Sequence, residues 1–265
     1  MSKCGQEKRK KVLEFQNMTF SYKDKQQTES IPILQRVNTA IYDREFITII
    51  GASGSGKSTL FRLITGLENP DEGHILLNGE AEEHRLGKVG YMPQQDLLMP
   101  WRTIQENAAL PLELKRVPKE EAYKRVLPLL KEFGLEGMEN RFPHELSGGM
   151  RQRVSFLRAT LSGSNILLLD EPFSALDAIT RLSMQEWLME QWEKQKTTVV
   201  FITHDVNEAL FLSDRIFVFG EKPIHTLQEV DVPLERPRSL KDLNQPSLIE
   251  LKDQLLEQLR GKVMR

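Results

Sequence analysis

Three short stretches of the chain are continuously apolar, at residues 46–50, 166–169 and 198–202. Runs of this length without alternation predict strands that are buried on both faces, as in a parallel sheet covered by helices. The first run is followed by apolar residues at the spacing of one helix face: Leu60, Leu63, Ile64 and Leu67. The pattern therefore predicts a doubly wound α/β core.

Residues 95–160 are helical in character, and five prolines predict that the segment is broken into short helices: Pro100, Pro111, Pro118, Pro128 and Pro143. We expect a helical subdomain inserted into the α/β core. After residue 230 the chain is punctuated by proline and arginine, and it then carries four leucines on one helical face: Leu248, Leu251, Leu255 and Leu259. This pattern predicts an amphipathic helix that packs against the core.

Composition restricts the possible functions. The chain has 36 basic and 38 acidic residues, a formal net charge of −2, so no overall basic field favours nucleic acid as a partner. A single cysteine, Cys4, excludes an internal disulfide and fits a reducing cytosolic compartment. No stretch approaches the roughly 18 consecutive apolar residues of a membrane span. Any role at a membrane is therefore expected to depend on another protein.

The strongest local motif directly follows the first predicted strand. It is the nine-residue string Gly51-Ala52-Ser53-Gly54-Ser55-Gly56-Lys57-Ser58-Thr59, which matches the phosphate loop G-x-x-x-x-G-K-[ST]. Glycines let backbone N–H groups close around phosphates, and the following helix adds the positive end of its dipole. Lys57 supplies charge for the β- and γ-phosphates, and Ser58 offers a hydroxyl to a bridging magnesium ion. The motif predicts nucleotide binding.

Two carboxylates, Asp170 and Glu171, follow the second apolar run. Open α/β sheets bind ligands at the carboxyl ends of their strands, so both side chains are expected near the nucleotide. Asp170 is predicted to hold magnesium. Glu171 is then free to polarise an attacking water.

A third motif, Ser-Gly-Gly at residues 147–149, precedes a segment with Val154, Leu157 and Leu161 on one helix face. It is a candidate second anion site. One triphosphate does not easily occupy two such sites of one chain, which suggests that this site serves a nucleotide bound by a second subunit. Alone, the same residues are equally well interpreted as a helix cap formed by Ser147.

Together these motifs resemble the ATP-binding subunits of ABC transporters, over nearly all of residues 12–220. The resemblance implies a P-loop NTPase fold with a RecA-like core, an N-terminal antiparallel β subdomain and an inserted helical subdomain. It implies an ATPase that uses ATP and Mg²⁺ and pairs with a second copy of itself around two ATP molecules. The ATP-binding domain is expected at 12–230, its helical subdomain at about 95–160, and a C-terminal extension with an amphipathic helix at 231–265.

The resemblance also implies roles for individual residues. Tyr22 matches the aromatic residue that stacks on adenine, although a lone aromatic near a strand could equally belong to the core. Gln94 matches the glutamine that contacts magnesium and the attacking water; Gln95 is one position away, and the spacing favours Gln94. His204, after the third apolar run, matches the histidine that reaches the γ-phosphate. Asp177 belongs to the loop 174–177 that crosses the dimer seam.

Three sets of residues follow from these assignments. The signature that closes on the partner's ATP is Ser147, Gly148 and Gly149. The implied catalytic residues are Glu171, His204 and Gln94. The implied magnesium contacts are Ser58, Gln94 and Asp170.

Two further strings are similar to importer subunits: Leu97-Leu98-Met99-Pro100-Trp101 and Leu234-Glu235-Arg236-Pro237-Arg238. They resemble the group that imports nitrate, aliphatic sulfonates, taurine and pyrimidine precursors of thiamine. The implied partners are permease subunits in the membrane and, indirectly, an extracytoplasmic solute-binding protein. The implied location is peripheral, on the cytoplasmic face of the membrane. The ATP-binding subunit of a separate-chain exporter is the alternative.

Four positions depart from residues that are common in the family: Arg44 and Ala52 in place of glycine and proline, and Thr160 and Ser164 in place of alanine and proline. None removes a catalytic group, but they leave the subgroup and the solute open. The apolar segment 97–101 is expected either to line a groove for a short permease helix or to pack into the helical subdomain.

Overall fold

The structure is a computed structural model that describes residues 9–23 and 30–261. The chain divides into two compact units, the first made of Met1–Leu86 and Lys196–Arg265 and the second of Gly87–Gln195. Cys4 and the last four residues of the expected C-terminal extension lie outside the described residues. Within the described ranges, the structure contains no helix that is long and apolar enough to cross a bilayer.

The strands, in chain order, are β1 (Lys11–Lys23), β2 (Ser30–Tyr42), β3 (Phe46–Ile50), β4 (Glu72–Leu77), β5 (Glu80–Ala81), β6 (Gly90–Met92), β7 (Ile166–Asp170), β8 (Thr198–Ile202), β9 (Arg215–Val218) and β10 (Gln228–Asp231). The α-helices are α1 (Lys57–Thr65), α2 (Ile104–Leu114), α3 (Lys119–Glu132), α4 (Gly148–Thr160), α5 (Ala178–Gln195), α6 (Val206–Leu212) and α7 (Pro246–Gly261). Short 3₁₀ helices cover Pro143–Glu145 and Leu240–Asn244.

An antiparallel sheet forms the first part of the first unit. Its strand order is β2-β1-β4-β5, and each of its pairings is antiparallel. The register places Phe15 of β1 opposite Thr39 of β2 on one side and Ile75 of β4 on the other. Phe15 and Ile75 are both buried. This sheet confirms the expected N-terminal antiparallel β subdomain.

The first unit also contains parallel strands at two of the continuous apolar runs. β3 is parallel to both β8 and β9, and Ile47 lies opposite Val200 on one side and Arg215 on the other. Every residue of β3 and of β8 is buried, which is why neither strand shows alternation. The predicted strands at 46–50 and 198–202 are confirmed, and β10 adds to β9 in the antiparallel sense.

The helix that follows β3 is shorter than its leucine pattern predicts. Leu60, Leu63 and Ile64 are buried, as expected for the core face of α1. Leu67 is 53% exposed, and its prediction as part of that face is wrong. The helix ends at Thr65 because Gly66 adopts a left-handed conformation, φ 83°, as its C-cap.

The last helix packs within the first unit. Leu248 and Leu255 of α7 are buried in one cluster with Leu210 of α6, and Leu251 and Leu259 are partly buried against that cluster. The leucines at this spacing therefore share one packed face.

Two arginines of the string 234–238 fasten the chain to the end of α6. Arg236 donates to the Leu212 carbonyl at 2.6 Å and to Asp214 Oδ1 at 2.8 Å. The Arg238 side chain is 2% exposed. It donates to four carbonyl groups, those of Leu210, Phe211, Ser213 and Leu234. The last carbonyls of a helix have no intrahelical partner, so the two guanidinium groups satisfy α6 where it ends.

The second unit combines one parallel strand pair with helices. β6 and β7 are parallel, and Met92 lies opposite Leu169. β7 is buried throughout, which confirms the predicted strand at residues 166–169. α2 begins with a capping box in which Thr103 N donates to Glu106 Oε2 and Glu106 N donates to Thr103 Oγ1. The backbone N–H of Thr103 lowers the pKa of the Glu106 carboxyl.

Two of the predicted helix breaks are wrong. Pro111 lies inside α2 and Pro128 lies inside α3, whereas Pro118 is the N-cap of α3 and Pro143 begins a 3₁₀ helix. A proline inside a helix removes one backbone hydrogen bond. Here the helices continue because each buries an apolar face that offsets this loss, with Ile104, Ala108 and Leu112 on α2 and with Ala122, Val126 and Leu130 on α3.

Three of the four unusual residues occupy positions with identifiable local geometry. Arg44 has φ 61°, a left-handed conformation that glycine adopts without strain. Ser164 Oγ donates to the Lys88 carbonyl at 2.8 Å and accepts from Ile166 N at 3.1 Å. Thr160 Oγ1 donates to the Phe156 carbonyl one turn earlier in α4. The hydroxyls of both the serine and the threonine are therefore hydrogen-bonded to backbone groups.

Removal of the Arg238 side chain is expected to destabilise the protein. Arg238→Ala should lower the free energy of unfolding by about 3 kcal/mol, because buried carbonyls lose charged donors that water cannot replace there. Denaturant unfolding at neutral pH measures the difference. The matched control is Lys241→Ala, since Lys241 is an exposed cation in the same part of the chain, and its effect should stay within about 0.5 kcal/mol. Equal stability of the two variants would contradict this role of Arg238.

Candidate active site

The phosphate-loop string connects β3 to α1 in the first unit. Two of its glycines have left-handed backbone conformations, φ 75° at Gly54 and φ 110° at Gly56. A Cβ atom at residue 56 would lie 2.8 Å from Ile33 Cγ2. Glycine is therefore required at Gly56 for both conformation and space. The loop runs from the strand end directly into the helix N-terminus, where backbone N–H groups have no intrahelical acceptor.

Lys57 is buried inside this loop. Its side chain donates from Nζ to the Gly51 carbonyl at 2.8 Å and to the Ala52 carbonyl at 3.0 Å, and the residue is 6% exposed. Ser55 Oγ is also buried, and it has no hydrogen-bond partner among the described residues. A buried cation beside an unsatisfied hydroxyl at a helix N-terminus fits an anion with several oxygen atoms.

Tyr22 lies beside the last residue of the phosphate-loop string. Its hydroxyl is 3.3 Å from Thr59 Oγ1, and its ring packs edge-on against Phe20 with the centroids 5.0 Å apart. The side chain is 36% exposed, so it is not a core residue. The exposed part of the ring is available for a planar ligand, and adenine stacking stays a prediction.

His204 lies two residues after the end of β8 and is exposed. The residues around it are fixed by a short hydrogen-bond network: Asp205 N donates to Thr203 Oγ1, and that hydroxyl donates to Glu208 Oε2. Asp205 also caps α6 by accepting from Asn207 N and Glu208 N. The network holds the backbone on both sides of His204 while leaving its ring at the surface.

The second unit carries the carboxylates. Because β6 and β7 are parallel with Met92 opposite Leu169, Gln94 and Asp170 emerge at the same edge of the strand pair. Asp170 is 7% exposed, and Tyr91 donates its hydroxyl to Asp170 Oδ2 at 3.5 Å. Glu171 has φ 43°, a conformation that is rare for a residue with a side chain. Strain of this kind is retained where surrounding contacts determine the geometry.

Gln94 lies beside Glu171. Its Nε2 is 3.4 Å from Glu171 Oε2 and 3.4 Å from Ser174 Oγ, and Ser174 Oγ donates to the Glu171 carbonyl at 2.9 Å. Gln95 is exposed and has no such contact among the described hydrogen bonds. The structure thus favours Gln94 over Gln95 as the functional glutamine.

The signature residues form the start of α4. Ser147 is the N-cap and its Oγ accepts from Met150 N at 3.3 Å, so the helix-cap interpretation holds for this side chain. A Cβ atom would lie 3.3 Å from Leu176 Cδ2 at Gly148 and 3.1 Å from Thr180 Cγ2 at Gly149. The two glycines therefore allow the signature to pack closely against the segment 176–180.

Asp177 precedes α5 and accepts from Thr180 N at 3.0 Å. The hydroxyl and backbone N–H of Thr180 lower the pKa of the Asp177 carboxyl. This exposed carboxylate has a local capping role. Its predicted place at a dimer seam stays a prediction.

Each unit carries hard oxygen donors of the kind that Mg²⁺ prefers. The first unit offers the hydroxyl of Ser58, and the second offers the carboxylate of Asp170 and the amide oxygen of Gln94. The described residues contain no group of three His, Cys, Asp or Glu side chains that could hold a metal alone. One carboxylate with waters and phosphate oxygens is the usual arrangement for magnesium on a nucleotide.

Within each unit, the structure brings predicted residues together. Tyr22 touches the phosphate-loop string in the first unit, and Gln94 touches Glu171 in the second. The sequence interpretation gave Tyr91 no role and placed Ser174 only in the loop 174–177, whereas in the structure they contact Asp170 and Gln94. The only signal for Tyr91 in the sequence is its position three residues before Gln94.

Comparison with known proteins identifies a family and several relatives. A family profile described as ABC transporter matches residues 34–174. The chain is 48% identical to the formylaminopyrimidine import ATP-binding protein ThiZ of Halalkalibacterium halodurans, over 88% of this chain and 89% of that protein. It is 42% identical to the aliphatic sulfonates import ATP-binding protein SsuB of Bacillus cereus, over 88% of this chain and 90% of that protein.

A solved structure is similar in fold and sequence. It is a dimeric post-hydrolysis state of the ATP-binding cassette MJ0796 bound to ADP and phosphate, with a TM-score of 0.72 and 34% identity. The match covers 84% of this chain and 100% of that one.

Replacement of Lys57 is expected to abolish tight nucleotide binding. Lys57→Ala removes the buried cation of the phosphate loop, which should cost at least about 2 kcal/mol, or about thirtyfold in affinity. Titration with a fluorescent ATP analogue measures this change. Lys10→Ala is the matched control, because Lys10 is an exposed lysine of the same unit. An unchanged affinity of Lys57→Ala would contradict the assignment of the phosphate loop.

Proposed function

The chain belongs to the ABC transporter family, and from this membership we propose that it is the ATP-hydrolysing subunit of an importer for a small solute. The main support is its 48% identity to an import ATP-binding protein over 88% of the chain. The sulfonate relative is also an import protein. Both relatives favour import over the alternative of a separate-chain exporter.

Nucleotide binding is assigned to the first unit. Lys57 would leave the loop carbonyls in part and donate to the β- and γ-phosphates, while the backbone N–H groups of residues 52–59 surround those phosphates. The unsatisfied Ser55 Oγ supplies one more donor within the same loop. Tyr22 would support the adenine ring with the exposed part of its own ring.

Hydrolysis is assigned to Glu171, Gln94 and His204. Phosphoryl transfer requires positioning and charge stabilisation more than covalent chemistry. The Glu171 carboxylate would accept a proton from the attacking water, and Gln94, already at 3.4 Å from that carboxylate, would orient the same water. His204 would donate a hydrogen bond to the γ-phosphate. Ser58, Gln94 and Asp170 would hold a magnesium ion that neutralises phosphate charge.

A second copy of the chain completes each site in this proposal. Ser147, Gly148 and Gly149 would contact the ATP of the partner through the N-terminus of α4. The dimeric ADP-bound cassette, at 34% identity, supports such a pairing. Asp177 would lie at the seam between the two copies.

The solute belongs to the nitrate, sulfonate, taurine or thiamine pyrimidine-precursor type. The higher identity to the formylaminopyrimidine protein, 48% against 42% for the sulfonate protein, favours the pyrimidine precursor. Permease subunits in the membrane and an extracytoplasmic binding protein would select the solute. The chain would then act at the cytoplasmic face of the membrane.

The contact with the permease is assigned to Trp101 and its surroundings. Leu98 is 7% exposed and packs in the interior, so for this side chain the second expectation, packing into the helical subdomain, is favoured over a place in the groove. Trp101 is 73% exposed at the edge of a groove of about 430 Å³, which Glu106 and Tyr123 also line. A large exposed aromatic beside a groove is typical of an interface. We assign this groove to a short cytoplasmic helix of the permease.

Blocking hydrolysis should trap the dimer. Glu171→Gln removes the group that accepts the proton but keeps the shape of the side chain, so ATP binds and is not consumed. The variant should elute as a monomer without nucleotide and as a dimer with Mg-ATP in size-exclusion chromatography. Wild-type protein, which hydrolyses ATP, should not accumulate the dimer. A monomer in both conditions would contradict the proposed sandwich.

Solute uptake tests the proposed function and the groove together. A strain without the gene should fail to accumulate labelled formylaminopyrimidine, and wild-type protein should restore the accumulation. Trp101→Ala should restore at most about a tenth of it, because interface aromatics often contribute 2 kcal/mol or more. Its melting temperature and ATP affinity should not change, since the side chain is 73% exposed.

Leu114→Ala is the matched control for Trp101→Ala, because Leu114 is 76% exposed in the same unit and does not line the groove. It should support normal uptake. Normal uptake with Trp101→Ala would overturn the groove assignment alone. If uptake of the pyrimidine, an alkanesulfonate, taurine and nitrate is unaffected by loss of the gene, the importer proposal fails.

A further inference from the structure

One arginine of the signature helix contacts both the residue just before the signature and the loop that contains Gln94. Arg151 donates from Nη1 to the Leu146 carbonyl at 2.7 Å, directly before Ser147. It also donates from Nε to Asp96 Oδ2 at 3.0 Å, two residues after Gln94. Arg151 and Asp96 are 55 residues apart in sequence. The pair therefore connects two functional segments of the second unit that are far apart along the sequence.

The same helix holds the backbone of the Gln94 loop at further points. Ser155 Oγ donates to the Asp96 carbonyl at 3.3 Å. Arg158 donates to the Asp96 carbonyl at 2.5 Å and to the Leu97 carbonyl at 2.9 Å. Residues 151, 155 and 158 are spaced i, i+4, i+7, so they form one polar face of α4. Three side chains on one face of α4 therefore contact this loop, so a displacement of the loop is expected to act on the helix.

The loop is also constrained from within. Asp96 Oδ1 accepts from Leu98 N at 3.1 Å, so the same carboxylate bonds its own loop and Arg151. Leu97 has φ 45°, which turns its side chain outward, with 58% exposure, while Leu98 is buried. A bent segment with fixed ends transmits a displacement better than a flexible one, because it has fewer ways to absorb it. Movement of Gln94 should therefore be passed to Arg151.

We propose that Asp96 and Arg151 are positioning residues that couple Gln94, at the ATP of one subunit, to Ser147–Gly149, which act at the ATP of the partner. The inference rests on the proposed function, and it adds a residue pair that carries the coupling. The Asp96–Arg151 ion pair makes the signature adopt its closing position only when Gln94 is in its ATP-bound position. Loss of the pair leaves ATP binding by one subunit intact and weakens closure of the dimer.

The exposure of the pair makes this role separable from stability. The Asp96 and Arg151 side chains are 27% and 36% exposed, and ion pairs of this kind contribute little to the free energy of unfolding. A variant that lacks the pair is therefore expected to fold. Its defect should appear only where the two segments must move together.

The test measures ATP-dependent dimerisation in the Glu171→Gln background, with ATP itself as the ligand. Asp96→Ala should raise the dimer dissociation constant at least about tenfold, a coupling of ordinary allosteric size. The ATP affinity of the monomer should change less than about twofold, and the melting temperature should not fall. Arg151→Lys keeps the charge but cannot reach both partners at once, so its dimer should be intermediate.

A double-mutant cycle and a matched control complete the design. Asp96→Ala combined with Arg151→Ala should be no weaker as a dimer than the worse single variant, because both remove one link. Glu121→Ala and Arg125→Ala break an exposed ion pair on α3 in the same unit and should leave dimerisation unchanged.

The outcomes distinguish the two proposals. If the Glu171→Gln parent does not dimerise with ATP, the proposed function fails. If the parent dimerises and Asp96→Ala dimerises equally well, only the coupling role is overturned. Should Asp96→Ala lower the melting temperature strongly, Arg151→Lys decides: a weakened dimer at normal stability supports the coupling, and a normal dimer overturns it.

Discussion

The buried charge of Lys57 is the constraint on which the geometry of the phosphate loop depends. An ammonium ion at 6% exposure is costly unless hydrogen bonds compensate it, and the carbonyls of Gly51 and Ala52 supply that compensation. Those carbonyls can point inward only because the loop turns sharply, which requires the left-handed glycines and the fully buried strand β3 beneath them. The loop is therefore organised around a cation before any anion arrives. Such preorganisation lowers the entropy that binding must offset.

Arginine side chains perform a related task where helices and loops end. Arg238 satisfies the carbonyls at the end of α6, Arg85 donates to the Leu63 carbonyl near the end of α1, and Arg158 holds the loop at Asp96. In each case the donor comes from a distant part of the chain. A guanidinium group suits this task because it presents several donors in a fixed plane. Helix α1 follows the phosphate loop and helix α6 follows His204. Each of these helices is therefore held by an arginine at its C-terminal end, away from the phosphate loop and from His204.

The sequence predicted what depends on local composition and did not predict what depends on long-range contacts. The strands at 46–50 and 198–202 were predicted because a strand that is buried on both faces shows a continuous apolar run in the sequence. Leu67 was misplaced because the left-handed Gly66 ends α1. The burial of Leu98 could not be decided from the sequence, because adjacent residues of one irregular loop differ in exposure, 58% at Leu97 and 7% at Leu98. The contact between Asp96 and Arg151 has no local signature at all, since it depends on which helix face meets which loop.

The proposed function also explains why one chain needs two kinds of anion contact. In this proposal, contacts of Lys57 with phosphate would be the same in a monomer and in a dimer, so they would raise affinity without favouring either state. Contacts of Ser147 and Gly149 with the partner's ATP would exist only in the dimer, so they would convert binding energy into closure. By linkage, the partner must then raise ATP affinity by the same factor by which ATP favours the dimer. Hydrolysis at Glu171 would end that preference, because the cleaved γ-phosphate would no longer join the two sets of contacts. The proposed division of contacts between Lys57 and the signature would therefore also account for release of the dimer.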